Sequence, residues 1–339
     1  RGDATVKPGD LEVKIEQGTL ALNGARVLAE APVRAQVTLE GRQIRDLVAL
    51  AVGPEPTVAG GLKASLAIGG TVGKPRASGD VELRDLAVTQ TNPGCPEPRR
   101  RTLALGTVKM NVAWEDARLT ARPLTASLGG GSIATHLQAS MDRATRVELN
   151  DLDIKGVPVE KVLVDYLCQG YAVTGPLQLT GRLGLRLDDL WKTLDGQGQM
   201  KIGPGQVVGS QALAMLGNLV RVGGAVSALL AGDVSNLGTS PLDFDSITAT
   251  YTITNGVVST RDFLLAGRAL RIGAAGTYAL ASGAVNLDVV VATGRAEIKG
   301  KVTGTTASPS IRVAPPTSLR EVDPGAVQRG LEELLKRFR

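Results

Sequence analysis

The sequence predicts a mainly β protein: an elongated, strongly twisted antiparallel sheet curled into an open hydrophobic groove, with a few short helices. Three observations predict it. Aliphatic and polar residues alternate with period two from one end of the chain to the other, which gives each strand one apolar face and one wet one. About 22 segments read as strands against about 65 helical residues, too little helix to cover such a sheet. Of the 339 residues 43% are hydrophobic but only 3% aromatic, with 42 glycines, so Leu, Val, Ile and Ala carry the apolar mass.

The strands follow in order. Val33, Ala35, Val37 and Leu39 alternate with Arg34, Gln36, Thr38 and Glu40, and Leu62, Ala64, Leu66 and Ile68 alternate with Lys63 and Ser65. Around Gly106 the parity slips: Leu103 and Leu105 are out of phase with Val108, Met110, Val112 and Trp114, which predicts a β-bulge and a bend. From Leu177 through Leu179, Gly181, Leu183 and Leu185 to Leu187 the alternation is unbroken. Such a strand is about 36 Å long at about 3.3 Å per residue. Ile247, Tyr251 and Ile253 then oppose a threonine row, Ile272 and Tyr278 belong to the row from Leu270 to Leu280, and Val289 to the row from Val285 to Val291.

Helices are few. Gln43 to Val52 and Pro158 to Cys168 read as short ones, the second opened by a proline at a tolerated first-turn position. An apolar helix over 209–231 has Arg221 as its only charge, and Gly217, Gly223 and Gly224 divide it into two pieces. Residues 316–339 predict an amphipathic helix capped by Asp323, with Leu331, Leu334, Leu335 and Phe338 on one face and Lys336 and Arg337 beside them. The chain thus divides into 1–157, an N-terminal part of the groove; 158–315, a C-terminal β region that includes helix 209–231; and the final helix 316–339. One short element recurs: Gly70-Thr71 followed by Pro75, and Gly304-Thr305 followed by Pro309.

Large apolar faces are rarely left to water, so this one is covered by a second sheet, by its own curl or by a ligand. A dry β-sandwich is the common solution. Against it stand strands longer than the usual five or six residues, the scarcity of aromatic fillers, and small residues such as Gly181, Ala274 and Gly276 in the apolar rows. The residues expected to line a lipid groove are Val33, Val37, Leu39, Leu66 and Ile68, then Leu177, Leu179, Leu183, Leu185 and Leu187, and finally Ile247, Tyr251, Ile253, Ile272, Tyr278 and Val289.

Catalytic and metal chemistry find no foothold in the sequence. Gly69 to Pro75 imitates a phosphate loop but has the wrong glycine spacing and a proline where a Ser or Thr belongs. His136 is the one histidine, so no histidine-rich metal set exists, and it reads as an outward strand residue. Asp243 and Asp245 share a strand face but precede a threonine-rich strand and read as a solvated edge. The net charge of +5 is spread along the chain as 38 basic and 33 acidic residues, which describes no nucleic-acid stripe. No enzyme, cofactor or metal is expected. Arg99, Arg100 and Arg101, with Lys336 and Arg337, are candidates for membrane or headgroup contact; a solvated loop and a capping helix are the structural alternatives. Cys95 and Cys168 form either a disulfide or two unrelated small hydrophobes. No signal pattern opens the chain at Arg1, which reads as a cut-out or processed product.

Val173-Thr174-Gly175-Pro176-Leu177, Leu194-Asp195-Gly196-Gln197-Gly198, Phe244-Asp245-Ser246-Ile247, Thr254-Asn255-Gly256-Val257 and Val302-Thr303-Gly304-Thr305 occur in this order. Together they make the stretch from Val159 to Val313 resemble the C-terminal region of the AsmA family of bacterial envelope proteins. The resemblance implies a periplasmic β body, open along one side and apolar within, tethered to the inner membrane by an N-terminal segment that this sequence lacks. It also implies lipid transport: a segment of a bridge carrying phospholipid toward the outer membrane, with outer-membrane homeostasis as its outcome. The partners expected are phospholipid or another acyl lipid, a membrane surface and other envelope proteins, without nucleic acid. The alternative function is a scaffold or assembly factor for outer-membrane proteins, docking clients by strand addition.

Overall fold

The computed structural model describes residues 2–7, 11–20, 28–52, 55–141, 145–213, 242–268, 270–292 and 297–313. Among the described residues it is 69% strand and 7% helix, an antiparallel sheet not closed into a barrel. Two compact units divide the chain: Arg1–Val157 with Arg186–Asp188, and Pro158–Leu185 with Asp189–Arg339.

The first unit holds β1 (Gly2–Val6), β2 (Leu11–Leu20), β3 (Val33–Gly41), β4 (Thr57–Gly70), β5 (Pro75–Thr91), β6 (Arg100–Ala104), β7 (Val108–Glu115), β8 (Arg118–Leu128), β9 (Gly131–Ser140) and β10 (Arg146–Pro158), with helix α1 (Arg45–Val52) between β3 and β4. They meander: β1 to β5 pair in succession, β7 joins β5, and β8, β9 and β10 follow. Because side chains alternate, this register fixes which face each residue takes. Ile15, Val37, Leu66, Gly79, Val112 and Ala121 stand opposite one another in turn, and the parallel row is Val13, Leu39, Ala64, Val81, Met110 and Leu124. On the other face Glu40, Lys63, Glu82 and Lys109 form a cross-strand ladder of alternating charge. One face is therefore aliphatic across the strands and the other is ionic.

The second unit holds β11 (Pro176–Arg186), α2 (Leu190–Thr193), β12 (Asp195–Ile202), the short ribbon β13 (Gly205–Val207) and β14 (Leu242–Phe244), then β15 (Ser246–Thr254), β16 (Val257–Ala266), β17 (Arg271–Ala279), β18 (Ala284–Ala292), β19 (Glu297–Thr305) and β20 (Pro309–Val313). Apart from the β13–β14 ribbon, the strands pair in succession from β11 and β12 through β15 to β20. Leu177, Ile202, Ile247, Leu265, Ile272, Val291 and Ile298 form one unbroken apolar row.

The parity slip at Gly106 has a different cause from the bulge expected there. The chain ends one strand, β6, and begins another, β7, and both pair with the long β5: β6 along Ala87–Thr91 and β7 along Ala77–Leu83. Leu105 N–H donates to Leu86 O and Gly106 N–H to Ser127 O across the gap. One irregularity does lie in β5, where the register shifts opposite Ala59 to Gly61 of β4 and Asp85 takes a φ of 50°.

Local helices also differ from expectation. The first begins at Arg45, and the segment after Pro158 forms one π-type turn, Lys161–Tyr166. Residues 210–213 are helical and Gly209 precedes the helix, while 214–231 of the span expected as helix 209–231 and the final helix 316–339 lie outside the described residues.

The repeated Gly-Thr-x-x-x-Pro element is the same hairpin in both units. Thr71 N–H donates to Lys74 O (3.2 Å), and Lys74 N–H donates to both Thr71 O (3.1 Å) and Thr71 Oγ1 (3.2 Å). Thr305 and Ser308 repeat these bonds at 3.3, 3.1 and 3.1 Å. Each tip is also clasped to a neighbouring turn, by Val72 N–H to Ala31 O and by Thr306 N–H to Gly283 O. Gly70 and Gly304 begin the turns at φ 85° and 92°, and a Cβ there would stand 2.5 Å from Lys74 O and 2.7 Å from Ser308 O. Accordingly Gly70→Ala and Gly304→Ala each lower stability by about 1–3 kcal/mol in chemical denaturation. Gly69→Ala, with nothing within 4 Å and no positive φ, stays within about 0.5 kcal/mol of the parent.

Candidate functional site

The candidate site is the aliphatic face, taken separately in each unit. In the first, Val33, Val37, Leu39, Leu66 and Ile68 all lie on it and all are half-buried, as are Val81 and Met110. A sealed cluster occurs where α1 packs at one end: Ile44, Leu86 and Val108 are buried there, with Val48, Leu62 and Leu83 against them. Elsewhere Ala64, Val112, Ala121, Leu128 and Leu152 are buried, while Val37, Leu39, Leu66 and Ile68 keep some exposure. No charged side chain stands in these rows.

A shallow concavity of about 560 Å³ lies on the polar side of the same strands, lined in part by Lys63, Asp80, Glu82, Lys109 and Asn111. Two of its carboxylates are hydrogen-bonded. Asn111 donates to Asp80 Oδ1 at 2.9 Å and Arg84 Nε to Glu82 Oε1 at 3.1 Å, the latter bond holding the Glu82 carboxyl below its usual range. We assign no ligand to this side.

The second unit is different. Ile247, Ile272 and Val289, expected in an open groove, are 3%, 8% and 6% exposed and belong to a packed core with Ile202, Leu265, Val291, Ile298 and Val302. The cover is supplied by Val159 and Leu163 from the π-type turn and its approach, by Val207, Ala212 and Leu213, and by Phe244. Tyr171 Oη donates to Thr306 O at 2.7 Å, tying the connection before β11 to the last hairpin. Ile253 is also buried. Half-buried positions remain at Leu177, Leu179, Leu183, Leu185, Tyr251 and Tyr278, and Leu187 is half exposed. Burial raises the phenols of Tyr171 and Tyr251 above the usual value. Sequence reasoning missed this cover because its pieces are short and scattered; the apolar Val159 and Leu163, four apart, were its visible trace.

The basic cluster is partly engaged in its own loop. Arg99 pairs with Glu97 at 3.0 Å, and Arg101 donates from Nη2 to Pro96 O at 3.1 Å with its Nε buried. Arg100 is exposed; Lys336 and Arg337 lie outside the described residues. Cys95 and Cys168 are both disulfide-bonded. His136 lies on β9, 3.1 Å from Asp151 Oδ2, and Gln206 Nε2 donates to Asp243 Oδ1.

The chain matches no protein-family model, and neither the curated proteins nor the solved structures compared with it yield a match.

Truncation separates a sealed face from a half-covered one. Ile247→Ala costs about 2–5 kcal/mol by denaturant unfolding, as for a filled core, whereas Leu66→Ala costs well under that. An equal loss at the two positions would mean that the first unit's face is a dry core.

Proposed function

We propose that the protein is a lipid-binding module whose aliphatic face holds acyl chains, serving as a segment of a lipid-transport path in the bacterial envelope. One observation supports the reading: uncharged aliphatic rows run in register across successive strands of the first unit, and Val37, Leu39, Leu66, Val81 and Met110 in them are half-buried, while Val112 is buried. An acyl chain laid on such a row gains about 0.8 kcal/mol for each methylene removed from water. The headgroup stays in solvent at the edge of the face. Because the rows of the first unit offer no polar anchor, one stretch of chain is held much like the next, which favours movement along the face over tight retention.

The resemblance to the AsmA family supports an envelope setting, and two disulfide-bonded cysteines favour an oxidising compartment such as the periplasm. A non-catalytic role accords with a face made of hydrocarbon. A second reading, a scaffold for outer-membrane proteins that docks clients by strand addition, draws on β1, which pairs with β2 and whose five residues are all exposed.

Native mass spectrometry of protein purified without detergent distinguishes the two. The parent carries phospholipid or another acyl lipid; Leu66→Asp and Leu183→Asp lose it, and Ser65→Asp on the polar face keeps it. Unchanged lipid content in a folded Leu66→Asp variant contradicts the acyl-chain reading. Crosslinking from β1 to a barrel protein, with no lipid bound, favours the scaffold.

A further inference from the structure

Among the described side chains two buried polar atoms lack a hydrogen-bond partner, and one of them, Tyr251 Oη, lies in an aliphatic row. The ring of Tyr251 is half-buried and leans from β15 onto β12, where a Cβ added to Gly198 would stand 2.7 Å from Oη and 2.9 Å from Cζ. Gly198 pairs with Gly181 on β11. The hydroxyl thus rests on a floor of bare backbone, on a strand pair whose next apolar positions are Leu179 and Leu183. Both leucines belong to the part of the second unit that its core leaves half-buried.

Covering a glycine accounts for an aromatic ring at this position, but not for its hydroxyl. Phenylalanine would cover the same backbone, and a buried donor without an acceptor works against folding. We propose that Tyr251 is a polar anchor for the cargo, its hydroxyl donating a hydrogen bond to the ester carbonyl of an acyl lipid whose chain lies along Leu179 and Leu183. The inference rests on the acyl-chain reading and adds the ligand's chemical class, lipids with ester-linked chains. A phenol donates one strong neutral hydrogen bond, and an ester carbonyl offers an acceptor at the head of the acyl chain. Without cargo the ring lies down on Gly198; turning about its side-chain bonds brings the hydroxyl to the carbonyl. A single neutral bond sets the depth of the ester in the face and still releases it.

The test compares dioleoyl phosphatidylcholine with its dioleyl ether analogue, which has the same headgroup and chain length but no carbonyls, by titration in native mass spectrometry. The parent protein binds the diester about three- to tenfold more tightly than the diether, the range expected for one hydrogen bond. Tyr251→Phe lowers diester binding to the diether level, leaves the diether unchanged and melts no lower than the parent. Equal binding of the two lipids by the parent, or equal loss of both in the variant, overturns the anchor and leaves the acyl-chain reading standing. Binding of neither lipid by the parent overturns both.

Discussion

In a sheet of strictly alternating strands, a slip of one residue would turn every aliphatic side chain into water and every charge onto the apolar face. The fold depends on preventing that slip, and it does so at the strand ends and across the polar face. The Gly70-Thr71 and Gly304-Thr305 hairpins fix the pairing of Gly70 with Pro75 and of Gly304 with Pro309, and each tip is clasped to an adjacent turn. The ladder of Glu40, Lys63, Glu82 and Lys109 sets opposite charges side by side in this register. Such exposed pairs add little stability individually. Their effect is to make the wrong pairing worse than the right one.

From that constraint follow both the strength and the weakness of reading this chain as a sequence. Period two is a local property, so Val37, Leu39, Leu66 and Ile68 were assignable to one face before any coordinates, and so was the row from Leu177 to Leu185. The recurring Gly-Thr-x-x-x-Pro pattern was likewise legible, because a positive-φ glycine and a threonine that bonds three residues ahead leave a local mark. What covers the face is not local. Val207, Phe244, Leu213 and Tyr171 come from separate connections and meet over Ile247 and Ile272 only in three dimensions. Alternation marks an apolar face and is silent on whether anything lies above it. The break at Gly106 illustrates the same limit: a phase change in the pattern marks a discontinuity, and only the pairing of β6 and β7 with β5 distinguishes two strands from one bulged strand.

The two units therefore use the same kind of face differently. In the first, a sealed cluster lies at the α1 end, and Val37, Leu39, Leu66 and Ile68 on the face are half-buried. In the second, a larger core takes up much of the face and gives the unit its own stability, leaving the β11–β12 corner with its paired glycines and the Tyr251 hydroxyl. Under the proposed function, a face that holds hydrocarbon loosely in one unit and a corner that recognises one polar atom in the other are both compatible with carrying lipids without trapping them.

The central claim is that the aliphatic face of the first unit meets hydrocarbon from outside the protein. The most direct measurement places a photoactivatable phenylalanine analogue in place of Leu66, and separately in place of Ser65 on the opposite face, and irradiates protein isolated from membranes. Intact-mass analysis should show a phospholipid-sized adduct for the first position and none for the second. Adducts confined to the protein itself at position 66, or lipid captured equally at both positions, would contradict the claim.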